Sequence, residues 1–97
     1  MDIVSGFQWD DGNWPKCAMH GLTRDEIEFV LLNRPFVAPD SSAKEQRYDA
    51  VGRTHEGRFA FVVFTLRATS LGTLIRPISA RYMHRKEIDN YERQKGA

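Results

Sequence analysis

The chain has 97 residues, of which 41% are hydrophobic and 28% are charged, with a formal net charge of +1. This length supports one domain with a single modest core, and the composition is that of a folded globular chain. The single cysteine, Cys17, excludes an intramolecular disulfide and the two-cysteine zinc patterns. No apolar run reaches the ~20 residues of a membrane span, and no signal-peptide pattern is present. We therefore expect one cytoplasmic domain over residues 1–97, with no membrane partner.

The small net charge hides an uneven distribution along the chain. Residues 1–46 contain four Lys and Arg against eight Asp and Glu, whereas residues 47–97 contain ten against five. A small domain with one acidic and one basic half can present a cationic face to a polyanion. Solvated surface charge is the alternative interpretation of the same pattern.

The first half of the chain is organised around one helix. Ile3–Trp9 alternates loosely and predicts a short strand, which a turn and an irregular or one-turn helical connection follow. Leu22–Asn33 predicts a helix, because Thr23 as N-cap and Glu26 three residues later form a capping box before apolar residues at helical spacing. Phe36–Ala38 has prolines on both sides and predicts a short edge strand before a polar loop.

The second half predicts three strands and a final helix. Arg47–Thr54 predicts a strand, and a turn leads to Phe59–Leu66, which is apolar on both faces and should lie centrally in the sheet. Arg67–Gly72 is predicted to connect it to Thr73–Met83, an antiparallel neighbour by the short-connection rule. His84–Lys95 predicts a basic helix with a narrow apolar seam.

Two arginines in the last predicted strand are the most notable cations. By period-2 alternation, Arg76 and Arg81 point to opposite faces of the sheet unless a bulge intervenes. Pro77 has no N–H group, so an irregularity or a sheet edge is plausible at that position. The spacing alone therefore does not predict a joint site.

Several classes of chemistry find no support in the residue pattern. The three histidines, His20, His55 and His84, lie far apart without metal-ligand spacing, so we expect no metal. A glycine-rich phosphate loop is missing, and Cys17 lies in no nucleophile signature. A dehydrogenase, a kinase and a hydrolase with a serine or cysteine nucleophile are not expected, and neither is a cofactor.

Phosphate chemistry carried by arginines fits the remaining residues. Arg53, Arg76 and Arg81 are candidates for holding a phosphate, because guanidinium forks match its oxygens and stay charged at any working pH. His20 or His84 is the candidate proton carrier near neutral pH. The alternatives are a structural ion pair for Arg81 and an ordinary surface role for each histidine.

Short motifs along nearly the whole chain carry a resemblance to a known family. They are Phe7-Gln8-Trp9-Asp10, His20-Gly21-Leu22, Glu26, Arg47, Gly52-Arg53, Val62-Val63-Phe64-Thr65, Arg76-Pro77-Ile78-Ser79-Ala80-Arg81 and Glu87 with Tyr91-Glu92. In these motifs the chain resembles the BrnT toxin family, the ribonuclease half of a bacterial type II toxin–antitoxin pair. The most specific piece is the motif from Arg76 to Arg81, followed by a basic helix.

The resemblance implies an α+β fold similar to RelE toxins, with an antiparallel sheet of about four to five strands and two main helices packed on one side of it. It implies a metal-independent endoribonuclease that cleaves RNA, inhibits translation and growth, and is neutralised by a ribbon-helix-helix antitoxin. The expected catalytic residues are Arg53, Arg76, Arg81 and His20. Further RNA contacts are expected from Lys16, Arg67, Arg85, Lys86 and Tyr91.

Two other functions remain open at this point. The first is a binding module whose cationic face holds RNA or a ribosome without cutting it. The second is an interaction protein that has lost activity and only joins an antitoxin in a repressor complex.

Overall fold

The computed structural model describes residues 4–41 and 44–96. Five strands, two α-helices and a one-turn 3-10 helix make up this part of the chain. None of these helices is long and apolar enough to cross a membrane. The elements are, in order, β1 (Val4–Phe7), the 3-10 helix (Lys16–Ala18), α1 (Arg24–Leu32), β2 (Phe36–Asp40), β3 (Arg47–Arg53), β4 (Phe59–Thr69), β5 (Gly72–Tyr82) and α2 (Arg85–Gly96).

The five strands form one sheet in the order β1-β5-β4-β3-β2. Neighbouring strands run antiparallel, except that β1 runs parallel to β5. The predicted α+β fold is confirmed, with β4 central and β2 at an edge, and the sheet is mixed rather than purely antiparallel. The first predicted strand begins at Ile3, which lies outside the described residues.

Helix α1 begins and ends where its sequence signals place it. The Thr23 side chain accepts a hydrogen bond from the Glu26 backbone N–H at 3.1 Å, and the Glu26 carboxylate accepts one from the Thr23 N–H at 2.9 Å. This capping box satisfies two N–H groups that lack helical partners. The helix stops at Asn33, before Arg34 with a φ of 52° and then Pro35.

One face of the sheet, the α1 face, carries the hydrophobic core. Ala50, Ala60 and Val62 are fully buried there beneath α1. The sheet residue under Val30 is Gly52, and a Cβ at that position would lie 3.1 Å from the nearest Val30 side-chain carbon. Small residues on the strands therefore let the helix lie close to the sheet.

Helix α2 packs on the opposite face, the α2 face. The Tyr91 ring lies 5.9 Å from the Phe59 ring and 6.1 Å from the Phe36 ring, centroid to centroid. Phe59 adjoins the core residue Ala60 in β4, so their side chains point to opposite faces. The expectation that the helices share one side is therefore wrong. Because β4 is apolar on both faces, each face needs a cover of its own.

The hairpin between β4 and β5 is tighter than the sequence predicted. Arg67–Gly72 was expected to be a connection, but β4 continues to Thr69 and β5 already begins at Gly72. The Thr69 hydroxyl donates to the Gly72 carbonyl at 2.7 Å and accepts from the Leu71 N–H at 3.1 Å. This side-chain pairing closes a two-residue turn and leaves Arg67 inside a strand.

The packing of α1 predicts a specific loss of stability. Ile27→Ala should lower the free energy of unfolding by about 2–5 kcal/mol, because Ile27 is 0% exposed and the substitution leaves a cavity. Urea unfolding followed by circular dichroism measures this change. The control is Leu32→Ala on the same helix, where the side chain is 65% exposed and the change should stay within about 0.5 kcal/mol. Equal effects of the two substitutions would contradict the packing of α1.

Candidate functional site

A bulge in β5 sets the direction of the arginine side chains. Ser79 lies opposite Val63 in β4, and Pro77 lies opposite the next residue, Phe64, so Ile78 is an extra residue in β5. An extra residue in one strand of an antiparallel pair is a β-bulge, and it shifts the alternation of side chains beyond it. The irregularity anticipated near Pro77 is thus present.

The bulge brings both arginines of β5 to the same face. Arg76 lies opposite Thr65 and Arg81 lies opposite Phe61, two positions that are four residues apart in β4. Because side chains alternate with a period of two, an even separation places both on the α2 face. A strand without the bulge would have placed them on opposite faces.

Four cations meet at one end of the α2 face, which α2 leaves uncovered. They are Arg47 from β3, Arg67 from β4, Arg76 from β5 and Lys16 from the 3-10 helix, and they line a cleft of about 180 Å³. Glu45 also lines this cleft. We call it the basic cleft. Cations from four separate elements of the chain are thus gathered at one small opening.

Asn13 fixes the loop that carries Lys16. Its buried side chain donates hydrogen bonds to the backbone carbonyls of Gln8 and Pro77, both at 2.9 Å, and accepts one from the Asp10 N–H at 2.9 Å. The pairing of β1 with β5 does not extend to Pro77, so its carbonyl is available at the sheet edge. One amide side chain therefore ties the loop to β5 and holds the 3-10 helix beside the cleft.

Arg76 is held in place rather than free. Its guanidinium donates two hydrogen bonds to the Asp10 carboxylate, at 2.8 and 3.0 Å, and a third to Gln8 at 3.2 Å. The hydrogen bond from Arg76 lowers the pKa of Asp10, with a smaller contribution from the Gly12 N–H. Arg76 therefore forms a fixed wall of the cleft, with part of its charge already neutralised.

The other three cations of the basic cleft have fewer side-chain partners than Arg76 has. Within the described residues, Lys16 and Arg67 make no salt bridge, and both are exposed. Arg47 lies 3.6 Å from Glu45, and its buried Nε has no hydrogen-bond partner in the described part of the chain. Unpaired N–H donors beside a cleft suit an anionic ligand.

Arg81, a predicted catalytic residue, holds α2 to the sheet. Its guanidinium donates two hydrogen bonds to the Glu87 carboxylate, each at 2.8 Å, and lies 4.9 Å from the centre of the Phe61 ring. The Glu87 carboxylate also accepts from the His84 N–H at 2.9 Å. The Arg81 contact, followed by that of the His84 N–H, lowers the pKa of Glu87 to about 2.

The remaining predicted site residues lie elsewhere. Arg53 and Tyr91 line a larger cavity of about 540 Å³ between the ends of α1 and α2, which we call the corner cavity. His20, Arg85 and Lys86 are exposed, and none of them lines the basic cleft. Of the predicted set, the structure therefore brings Lys16, Arg67 and Arg76 together at the basic cleft, and Arg53 and Tyr91 together at the corner cavity.

Arg47 is a cleft residue that the site prediction did not include. Its position in the predicted strand Arg47–Thr54 places it on the face opposite Tyr48 and Ala50, by simple alternation. This alternation identifies the sheet face of Arg47 but not the residues that share that face. Arg76 shares it only because of the bulge in β5. Within the described residues, no three His, Cys, Asp or Glu side chains gather as metal ligands would.

Fold and cleft together define a small α+β domain with a cluster of cations on one sheet face. Residues 9–87 match the family model described as ribonuclease toxin, BrnT, of type II toxin-antitoxin system. The match covers most of the chain, and the chain belongs to this family. A comparison with individually curated proteins gave no match. The family is one of ribonuclease toxins, so RNA is the expected substrate and an antitoxin the expected partner.

The Arg81–Glu87 pair predicts how stability changes in acid. The pKa of Glu87 falls from 4.5 to about 2 on folding, so its contribution is fully present above pH 4.5 and is lost as the pH falls towards 2. Glu87→Gln should therefore destabilise the protein at roughly pH 5.5 and have a smaller effect at roughly pH 2.5. Urea midpoints at the two values measure the difference.

The matched control for this prediction is Glu92→Gln. Glu92 is exposed on the same helix and makes no salt bridge with the described residues. Its substitution should change stability little at either pH. An effect of Glu87→Gln that is the same at both values would refute a stabilising role for its charge.

Proposed function

We propose that this chain is a metal-independent endoribonuclease that cleaves single-stranded RNA in the cytoplasm, inhibits translation and growth, and is neutralised by a ribbon-helix-helix antitoxin. The observation that carries the ribonuclease proposal is the basic cleft, in a chain that belongs to a ribonuclease toxin family. RNA presents one phosphate per nucleotide, and Lys and Arg side chains supply most of the affinity for such a ligand. The cleft is small enough to take one phosphate rather than a folded RNA.

In the proposed reaction the ribose 2′-oxygen attacks the adjacent phosphorus atom and the 5′-oxygen leaves. One proton is removed from the 2′-OH and one is added to the 5′-oxygen, which yields a 2′,3′-cyclic phosphate and a 5′-OH end. Negative charge builds up on the non-bridging oxygens in the transition state. Arg47, Arg67 and Lys16 would stabilise that charge, which is why the proposal needs no metal ion. Arg76, fixed by Asp10, would orient the phosphate.

Proton transfer has three candidates in this arrangement. Glu45 lines the basic cleft and is the nearest carboxylate to Arg47, at 3.6 Å, so it can serve as the base. Asp10 is committed to Arg76 and is a poorer candidate. His20, the residue predicted from the sequence, follows the 3-10 helix that carries Lys16 and is exposed. We keep His20 as the proposed acid, which protonates the leaving oxygen.

Arg81, Arg85 and Lys86 are proposed contacts for RNA that flanks the scissile phosphate. Arg81 and Arg76 share the α2 face, and Arg85 and Lys86 lie in the first turn of α2. Arg85 has a distant Asp89 partner at 3.8 Å, and its side chain is 89% exposed. These cations can add affinity without touching the reacting atoms.

Arg67 gives the sharpest test of the proposed cleavage. Arg67→Gln should lower the rate of RNA cleavage by at least about tenfold, because the substitution removes a charged donor to the transition-state phosphate. The fold should be unaffected, since Arg67 is exposed and makes no salt bridge with the described residues. RNA integrity and bacterial growth after induced expression, together with a purified cleavage assay, measure the effect.

The matched control is Arg93→Gln, which removes the same charge from an exposed position near the end of α2. It should leave cleavage unchanged. Full activity of Arg67→Gln would remove the basic cleft from the mechanism. RNA that stays intact with the wild type but still binds would favour the non-cleaving binding module, and no binding at all would favour the inactive antitoxin partner.

Salt dependence provides a separate measure of the cleft. A uridine RNA of about twelve nucleotides with 2′-O-methyl groups can bind but cannot be cleaved, because its attacking oxygen is blocked. If the basic cleft neutralises one phosphate and Arg85 and Lys86 neutralise one flanking phosphate each, the logarithm of the binding constant should fall with the logarithm of the salt concentration with a slope of roughly −2. Arg67→Gln should reduce the slope by about 0.7. A slope near zero for the wild type would contradict phosphate binding.

A further inference from the structure

The corner cavity contains cations that the proposed ribonuclease chemistry does not use. Arg34, Arg53 and Lys95 line it, and none of them makes a salt bridge within the described part of the chain. Glu92 also lines this cavity, so positive charge is in excess there. Three cations at one opening repel one another and favour an anionic partner.

Aromatic rings hold two of these cations in position. The Arg53 guanidinium lies 4.5 Å from the centre of the Phe59 ring, and the Lys95 ammonium lies 5.7 Å from the centre of the Tyr91 ring. Phe59 and Tyr91 also touch each other edge to face. The cations are thus partly ordered before any ligand binds, which lowers the entropic cost of binding.

Three exposed apolar residues and a strand edge lie close in the chain to the corner-cavity residues Asn33 and Arg34. Leu32, Phe36 and Val37 are exposed by 65%, 58% and 45% of their surfaces. Phe36 also lines a smaller depression of about 90 Å³ that shares Tyr91 and Lys95 with the corner cavity. Phe36 and Val37 belong to β2, the last strand of the sheet in the described part, so the outer backbone groups of β2 have no strand partner there.

We propose that the antitoxin docks here through an extended acidic segment. Its backbone pairs with the outer edge of β2, its apolar side chains cover Phe36 on the α2 face and Leu32 and Val37 on the α1 side, and its carboxylates enter the corner cavity. Strand addition to an open sheet edge is an established mode of peptide recognition. This inference rests on the pairing of the toxin with an antitoxin and is independent of whether the chain cleaves RNA.

The surface fits a protein segment better than RNA. A polynucleotide would match the cations and the aromatic rings, but it offers nothing to the exposed Leu32 and Val37 or to an open strand edge. An extended segment that carries both acidic and apolar residues matches the cations, the apolar side chains and the strand edge together, because the side chains of a strand project to both faces of the sheet. The cations of the corner cavity favour a segment with negative charge, and the open edge of β2 favours a segment in extended conformation.

The corner cavity and the basic cleft lie at opposite ends of β3. Arg47 begins this strand and Arg53 ends it, a separation of about 20 Å at the usual rise per strand residue. A segment bound at the corner therefore leaves the cleft itself unoccupied. Substitutions in the two places should have separable effects.

Hydrogen exchange on the chain alone and with its purified full-length cognate antitoxin tests the docking site. The backbone amides of β2 should exchange more slowly in the complex. Lys95→Glu should raise the dissociation constant for the antitoxin by at least about tenfold, because it places a negative charge where carboxylates enter. Arg93→Glu, on the same helix outside the corner cavity, should change it by less than about twofold.

A second pair of measurements separates this inference from the ribonuclease proposal. Lys95→Glu should cleave RNA at the wild-type rate, and Arg67→Gln should bind the antitoxin with wild-type affinity. Leu32→Glu provides an independent variant, since it puts a carboxylate in place of an apolar side chain that the segment is proposed to cover and should also weaken binding. A wild-type chain that cleaves no RNA but shows these antitoxin effects would refute only the ribonuclease proposal.

Three results would overturn the docking site. The first is unchanged antitoxin affinity of both Lys95→Glu and Leu32→Glu. The second is slowed exchange confined to residues of the basic cleft. The third is weaker binding of the 2′-O-methyl uridine RNA by Lys95→Glu, which would assign the corner cavity to RNA.

Discussion

The extra residue at Ile78 shifts the side-chain alternation of β5 by one position, and the cationic side of the sheet depends on that shift. Arg81 points towards α2 and binds Glu87, and with the bulge Arg76 points to the same side. Without the bulge, the Arg76 side chain would point to the buried α1 face, where its charge would lose its hydration. The loop that Asn13 ties to β5 completes the arrangement, because it brings Asp10 to Arg76.

Local signals in the sequence predicted the scaffold well, and long-range pairing explains what they missed. The capping box at Thr23 fixed the start of α1, and the apolar run from Phe59 predicted a central strand. The parallel pairing of β1 with β5 joins residues almost seventy positions apart, as in the pair Val4 and Thr73, and no local pattern reports it. The side on which α2 packs depends on Tyr91 meeting Phe36 and Phe59, which are likewise distant in the chain.

Predicting the candidate site was harder because residues of one type have different roles here. Arg76 is held by a carboxylate 66 positions away, and Arg81 by one six positions away, while Arg67 has no salt-bridge partner within the described residues. An arginine in a sequence carries the same charge in all three cases. Its availability depends on which carboxylate the fold places beside it, and that requires the register of the sheet. Pattern reasoning could therefore name Arg76 and Arg81 as notable but could not separate anchors from free charges.

The sheet has cations at both ends of β3. One small domain can therefore bind two anionic partners through different kinds of contact. The basic cleft has four cations from separate elements around a space for one phosphate, so it suits a ligand that is read through its charge. The corner cavity combines cations with aromatic and aliphatic surface and an open strand edge, so it suits a ligand read through its shape and backbone. The proposed substrate and the proposed neutralising segment then need not compete for the same contacts. Neutralisation of the toxin would then depend on which toxin surface the rest of the antitoxin covers once its acidic segment is bound.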